Sequence, residues 1–336
     1  MTSESKTMAP GATSTLWAGI LFSLAFTAII WWLDPRLAGI ELLPDTGASW
    51  YYWKLPDPTT ITRLSAWASY LVHQLGLWGL IYYAQTRPHK YSDRLHRVNI
   101  YALGWNALFI AWHELQTHIW YDGLAQDVSI WSSQVSVVIL LIWVLLMENP
   151  RRGVFFGAKA PISRRIVDFA RKYHGYFFAW ATVYTFWYHP AVSTPGHLIG
   201  FLYMFLLLLQ GSLFFTRIHV NRVWTFALEF IVLVHGTIVA IYQANGIWPM
   251  FLFGFAGIFI VTQMHGLGLS RKVKIALAAL YGLGALWVYS GRGYTKLYEL
   301  ISIPLIDYLG LFVLAGLLWL VMAVFPRLNG KPSQSQ

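Results

Sequence analysis

SIWSSQVSVVILLIWVLLM, residues 129–147, holds no charged side chain from end to end. It is close to the ~20 apolar residues that a helix needs to cross a bilayer. Its flanks differ in sign. Asp122 and Asp127 precede it, whereas Arg151, Arg152, Lys159, Arg164, Arg165, Arg171 and Lys172 follow it. Basic residues stay on the cytoplasmic side of a spanning helix, so this run reads as a span that enters the cytoplasm at its C-terminal end.

The same reading extends in both directions. Apolar runs occupy roughly 16–33, 64–85, 98–120, 129–147, 174–191, 197–216, 223–243, 248–265, 275–290 and 305–325. The expected fold is all-α, a polytopic membrane helix bundle of about ten transmembrane helices. Every second loop is basic: Arg87, Lys90, Arg94 and Arg97; then 148–173; then Arg217 and Arg222; then Arg271, Lys272 and Lys274; then Arg327 and Lys331. An even number of spans puts both termini in the cytoplasm. Arg36, Lys54, Arg63, Arg292 and Lys296 break the rule, each with acidic residues nearby. The organisation expected is a cytoplasmic tail 1–15, a single transmembrane domain 16–325 and a cytoplasmic tail 326–336. Within the domain lie a long outer loop 34–63 and a long cytoplasmic loop 148–173. The first apolar run is too long for a signal-peptide core and reads as an uncleaved span.

Composition agrees. The chain of 336 residues is 57% hydrophobic and 11% charged, with 18 Trp and 19 Tyr. A soluble domain carries roughly 25% charged residues, so most of this exterior faces lipid. The net charge of +10 is explained by topology and by anionic lipids rather than by nucleic acid. No Cys is present, which excludes disulfides, Fe–S clusters and thiolate-held metals. In the outer loop, Trp50-Tyr51-Tyr52-Trp53 reads as an interfacial or re-entrant segment, or as a lid over an outer cavity. In the cytoplasmic loop, Arg164, Arg165, Arg171 and Lys172 alternate with Ile166, Val167 and Phe169, a pattern that suits a short helix on an anionic surface.

Polar groups inside apolar runs are costly and mark interiors or functional sites. At 1.5 Å rise per residue, His73, His113 and His235 lie roughly 14, 10 and 12 Å below the outer boundary, on three different helices. His118, His189 and His197 lie above them. Ser65, Ser69 and His73 form one stripe, Asn106 and His113 another, Glu114 and His118 a third, and Thr182, Thr185 and His189 a fourth. Imidazole ligates metals and haem, and the neighbouring Glu114 suits a mixed N/O iron site. The candidate metal ligands are therefore His73, His113, His118, His189, His197 and His235, with His73, His113 and His235 as the cofactor-binding trio and iron, haem or copper as the cofactor. Each of these histidines also has the plainer reading of a hydrogen-bonded packing residue. His113-Glu114-Leu115-Gln116-Thr117-His118 is not a zinc-protease helix, because its histidines point roughly 140° apart. Mid-span lysines, a P-loop and GxSxG are absent from the sequence.

Glu229 lies in the seventh span, as a proton relay or as a partner of Arg222 or His219. The stretch Asn221-Arg222 through Val234-His235-Gly236 to His265-Gly266-Leu267-Gly268-Leu269 resembles the C-terminal region of membrane-bound O-acyltransferases. That resemblance implies a group transferase with His235 as the catalytic base, oriented by Glu229 or Asn221.

Three functions follow as expectations. The first is a membrane oxidoreductase with a histidine-held metal or haem in the outer half of the bilayer, acting on a quinone, polyprenoid or acyl chain. Its catalytic residues are His235, Glu229 and Glu114. The second is the acyltransferase-like enzyme. The third is a proton-coupled transporter, for which Gly76, Gly79 and Pro249 are potential helix breaks. The setting expected is a bacterial inner membrane; the oligomeric state stays open.

Overall fold

The computed structural model describes residues 11–44, 53–87, 89–243 and 246–325. Trp50, Tyr51 and Tyr52 of the expected interfacial run, most of the tail 1–15 and the whole tail 326–336 lie outside the described residues. Ten α-helices are present among the described residues. They are α1 (Ala12–Leu33), α2 (Thr60–Gln85), α3 (Arg97–Trp120), α4 (Ile130–Arg152), α5 (Arg164–Phe186), α6 (Pro195–Ser212), α7 (Arg222–Tyr242), α8 (Trp248–Val261), α9 (Arg271–Arg292) and α10 (Glu299–Val324). The only strand-like pairings described are isolated bridges.

Seven segments, built on α1, α4, α6, α7, α8, α9 and α10, are long and apolar enough to cross a membrane. Their exterior is apolar too. Trp17, Leu21, Trp31 and Trp32 on α1, Leu280, Leu283 and Trp287 on α9, and Leu309, Val313 and Leu317 on α10 are all exposed. A water-soluble monomer rarely exposes apolar patches beyond a few hundred Å². The chain is thus an integral membrane protein of several helical spans. α2, α3 and α5 are long enough to cross but more polar, with 26, 24 and 23 residues. The polarity of α2 and α3 is turned inward. Ser65, Ser69, His73 and Gln74 on α2, and Asn99, Asn106, His113, Glu114, Gln116 and Thr117 on α3, are buried, while Leu71, Val72, Leu75, Leu108, Leu115 and Ile119 are outside. In lipid this inversion is the stable arrangement, because buried polar groups find partners only within the protein.

The chain divides into two compact units. The first holds residues up to Ser133 together with Phe178–Ile231. In it α2 packs on α3, α1 on α6 and α3 on α6. The stripe Ser65, Ser69, His73 faces α3: Gln116 Nε2 donates to Ser65 Oγ (3.0 Å) and Trp112 Nε1 to Ser69 Oγ (2.8 Å). Asn99 Nδ2 donates to the Ser212 and Phe214 carbonyls, both at 2.8 Å, and ties the start of α3 to the end of α6. Gly76 does not break α2. Its missing side chain admits the Trp105 indole, which a Cβ would meet at 2.3 Å, and Trp105 Nε1 donates to the His73 carbonyl at 3.1 Å. α2 also runs unbroken through Gly79. Arg63, one of the cations on the less basic side, pairs with Asp127 at 3.3 Å.

The second unit holds Gln134–Phe177 and the residues from Val232 onward. In it α8 packs on α9 and on α10. Pro249 lies in the first turn of α8, where its missing N–H costs nothing, so it starts the helix and does not interrupt one. Arg292 donates to both oxygens of Glu299, at 3.0 and 3.2 Å, and Tyr289 Oη donates to Glu299 Oε2 at 2.9 Å. The expected surface helix near 164–173 is no separate element. It is the first half of α5, which also ends at Phe186 and leaves His189 in the following loop. No proline falls between 164 and 186 to part the two halves.

Candidate functional site

The functional candidates of the first unit gather where α3 ends, α6 begins and the loops 121–129 and 187–194 meet. Tyr121, in the left-handed region at φ 44°, caps α3 and turns the chain. The loop then lies on the segment after α5: Leu124 N donates to the Trp187 carbonyl (3.0 Å) and Ala125 N to the Tyr188 carbonyl (2.9 Å). Gly123 makes that approach possible, since a Cβ there would stand 2.7 Å from His189 Cα and from the Tyr188 carbonyl oxygen. Both obstacles are backbone. Gly123→Val is therefore expected to lower stability by about 2–4 kcal/mol, because backbone cannot yield as a side chain does. Thermal unfolding in detergent checks this; an unchanged midpoint would show that the two loops move apart freely.

His73 is wholly buried and committed on both nitrogens. Trp187 Nε1 donates to its Nδ1 at 3.2 Å. An indole only donates, so Nε2 carries the hydrogen and donates to Asn106 Oδ1 at 2.9 Å. Asn106 Nδ2 donates onward to Ser212 Oγ (2.9 Å) and the Leu208 carbonyl (3.3 Å). Phe109 stacks on the imidazole at 4.4 Å. The result is a satisfied neutral network joining α2, α3, α6 and the end of α5.

His113 differs. Its ring is buried and enclosed by Trp187 (4.4 Å), Phe186 (4.5 Å) and Phe201 (5.6 Å). Its Nε2 has no hydrogen-bond partner among the described residues. The ring hydrogen-bonds the backbone of His189, and Nδ1 is the nitrogen left to do so. A carbonyl only accepts, so Nδ1 holds the hydrogen of the neutral ring and Nε2 presents a lone pair. The His189 ring stands edge-on to His197 at 4.3 Å and near Trp53 at 6.4 Å. His197 Nδ1 lies 2.6 Å from Thr194 Oγ1, the hydroxyl that caps α6. The imidazoles of His189 and His197 thus adjoin each other beside the His189 backbone that His113 bonds, with His197 itself buried.

The neighbouring face of α3 points elsewhere. Glu114 Oε1 lies 3.4 Å from His118 Nδ1. His118 Nδ1 donates to the Glu114 carbonyl at 3.0 Å, with Nε2 3.4 Å from the Leu33 carbonyl oxygen. His113 and His118 therefore face different neighbours, as their spacing requires.

His235 lies on the part of α7 that belongs to the second unit, with no partner for Nδ1 among the described residues. Glu229 is six positions earlier on the same helix, which turns it roughly 120° away. Its charge faces Tyr203. His219, one of its expected partners, exchanges hydrogen bonds with Gln210. Asn221 is spent as an N-cap, accepting from Val223 N and Trp224 N at 2.9 and 3.1 Å. Among the described residues, no group of three or more His, Asp and Glu side chains is arranged to hold a metal ion.

Besides Glu114, three acids are buried among the described residues: Asp122, Glu299 and Asp307. Asp307 stands alone in the last apolar run, where its charge alone was the available signal. In the sequence Asp122 is an acidic residue of the loop before α4. It is buried, and its Oδ1 accepts from Gly123 N at 2.8 Å. Burial pushes its carboxyl from an ordinary 3.8 up to about 6, against the Gly123 N–H and the Thr62 hydroxyl, which favour the charge. A raised acid favours the folded state in its protonated form. That advantage is full below about 4 and is lost as pH rises through about 6. The stability difference between the native chain and Asp122→Asn is therefore expected to change between pH 4 and 6 and to stay flat above 7, as read by melting at each pH.

Comparison with protein-family models, with curated proteins and with solved structures finds no match for this chain.

Proposed function

We propose that this chain is a membrane enzyme that takes a proton from a hydroxyl of a lipid-soluble substrate, with His113 as the base, and that the reaction is the oxidation of a quinol-type compound. The observation that carries the proposal is His113 Nε2, buried in an aromatic enclosure and without a partner. An orphaned buried acceptor costs roughly 1–3 kcal/mol, so a protein keeps one where something else uses it. Flat rings suit an aromatic headgroup. The choice between reaction classes rests on the His189–His197 imidazole pair beside His113. In group transfer the base returns its proton to the leaving group. Oxidation of a quinol releases two electrons and two protons, and the adjoining imidazoles of His189 and His197 are the side chains near His113 that titrate in the right range to take them up.

The electrons require a one-electron acceptor. Iron, haem or copper enters the reading there, as a centre of a redox partner or as one held by His113 with His189. His73 is set aside as a ligand because both its nitrogens are engaged. The acyltransferase-like reading with His235 stays second, on the strength of its own unpartnered Nδ1. The transporter reading stands third.

We further propose ten spans with both termini cytoplasmic, from the alternation of basic loops, in a bacterial inner membrane whose anionic lipids meet those loops. The test is titration of the detergent-purified protein with a short-chain quinol, followed by tryptophan quenching and oxidation rate, alongside metal analysis and an absorption spectrum. Saturable quenching that is lost in His113→Leu and kept in His235→Leu supports the proposal. Failure to bind quinol, or loss only in His235→Leu, moves the assignment to the transferase. Stoichiometric iron or copper lost in His113→Leu makes the metal centre resident.

A further inference from the structure

Two acids lie on α10, and the protein treats them differently. Glu299, at the start of the helix, is held by Arg292 and by the Tyr289 hydroxyl. Asp307 lies eight residues further in, roughly 12 Å along the axis. It is 2% exposed, and its Oδ2 has no partner among the described residues. It belongs to the buried stripe Asp307, Leu311, Ala315, Leu318, Met322, so it faces the protein and not lipid.

Among the described residues, no cation pairs with it. α8, which packs on α10, carries no titratable side chain from Trp248 to Val261. α4 approaches through Ile142, which crowds Gly310. Of its charged groups, Glu148 and Arg151 pair with each other and Arg152 stands beside Tyr308. α9 offers Tyr281, close to Gly257, and Tyr289, which is spent on Glu299. On α10 itself, Tyr308 Oη pairs with Thr262 Oγ1 at 2.9 Å. One helical turn before Asp307, Pro304 removes an N–H from the ladder and leaves the Leu300 carbonyl without its helical donor.

We propose that Asp307 is a proton-binding site inside the membrane domain: a carboxyl that holds a proton in its apolar setting and releases it only when water or a cation reaches it. An unpaired carboxylate at this depth is far costlier than the neutral acid. A lone carboxyl lacks the six or so oxygen ligands of a metal cation site, so the ligand is the proton itself. This inference does not rest on the quinol reading, because His113 belongs to the other compact unit.

The test uses the full chain in liposomes and a lipophilic carbodiimide, dicyclohexylcarbodiimide. This reagent takes the proton of a carboxylic acid onto one nitrogen, bonds the carboxyl oxygen at its central carbon and rearranges to a stable N-acylurea. Peptide mass spectrometry locates the adduct. The expected result is labelling at Asp307 that declines as pH rises, persists in 100-fold excess sodium over reagent, and vanishes from that peptide in Asp307→Asn. Asp307→Glu is expected to label. A water-soluble carbodiimide with an amine nucleophile is expected to leave the site untouched. Absence of labelling by the lipophilic reagent, equal labelling by the water-soluble one, or protection by sodium at constant pH would each overturn the proposal. Retention of the native elution profile by Asp307→Asn separates loss of the site from loss of the fold.

Discussion

Asn106→Leu is expected to destabilise the protein by roughly 2–4 kcal/mol. Asn106 is the hub of the network between α2, α3 and α6: it accepts from His73 Nε2 and donates to Ser212 Oγ and the Leu208 carbonyl. Each interhelical hydrogen bond in a membrane protein contributes about 0.6–2 kcal/mol. The larger part of the loss comes from what remains. Trp187 still donates to His73 Nδ1, so the hydrogen stays on Nε2 and faces leucine, an orphaned donor worth roughly 1–3 kcal/mol. The double variant His73→Leu with Asn106→Leu removes donor and acceptor together. It is expected to lose less than the sum of the single variants, leaving a coupling energy of about 1 kcal/mol or more. Unfolding in mixed micelles measures all three. Strict additivity would show that the two side chains do not depend on one another.

His113→Leu is expected to do the opposite: a large effect on activity and a small one on stability. Leucine forfeits the bond to the His189 backbone but also removes an unpartnered buried nitrogen, so the net change in stability stays within about 1 kcal/mol. If His113 is the base, the rate of quinol oxidation falls by about 10²–10⁴-fold, the usual contribution of general base catalysis. A fold that is stable without the residue its chemistry needs is the mark of a functional site rather than a structural one. A destabilised His113→Leu with an unchanged rate per folded molecule would place His113 among the packing residues with His73.

Much of the architecture is legible because lipid imposes local rules. The ten apolar runs coincide with ten helices to within a few residues at most ends, since span length depends only on the chain itself. The inward stripes were legible for the same reason: Ser65, Ser69 and His73 recur at a helical repeat, and all three turn out buried. Arg63 and Arg292, exceptions to the charge rule, are paired with Asp127 and Glu299. The failures share a cause. α5 reached further back than its apolar run because its first half is amphipathic. Neither Gly76 nor Gly79 breaks α2: at Gly76 the Trp105 indole fills the space left by the missing side chain, while Gly79 faces open space and the helix simply runs through it. Asn221 caps α7, and Glu229 sits roughly 120° around that helix from His235, neither of which nearness in sequence reveals.

By itself, the sequence determined that the chain is all-helical, where each helix runs, and which polar residues of α2 and α3 had to face inward. These are properties of single helices in an apolar solvent. Tertiary structure alone decided which of those residues are satisfied. His73 meets Asn106 and Trp187, 33 and 114 positions away in the chain. His113, of the same residue type and at the same expected depth, meets three aromatic rings and keeps a free lone pair. Glu299 finds an arginine across a turn, and Asp307, on the same helix, does not. A hydrogen bond depends on where two helices touch, to within an ångström, and no repeat along one chain segment carries that information.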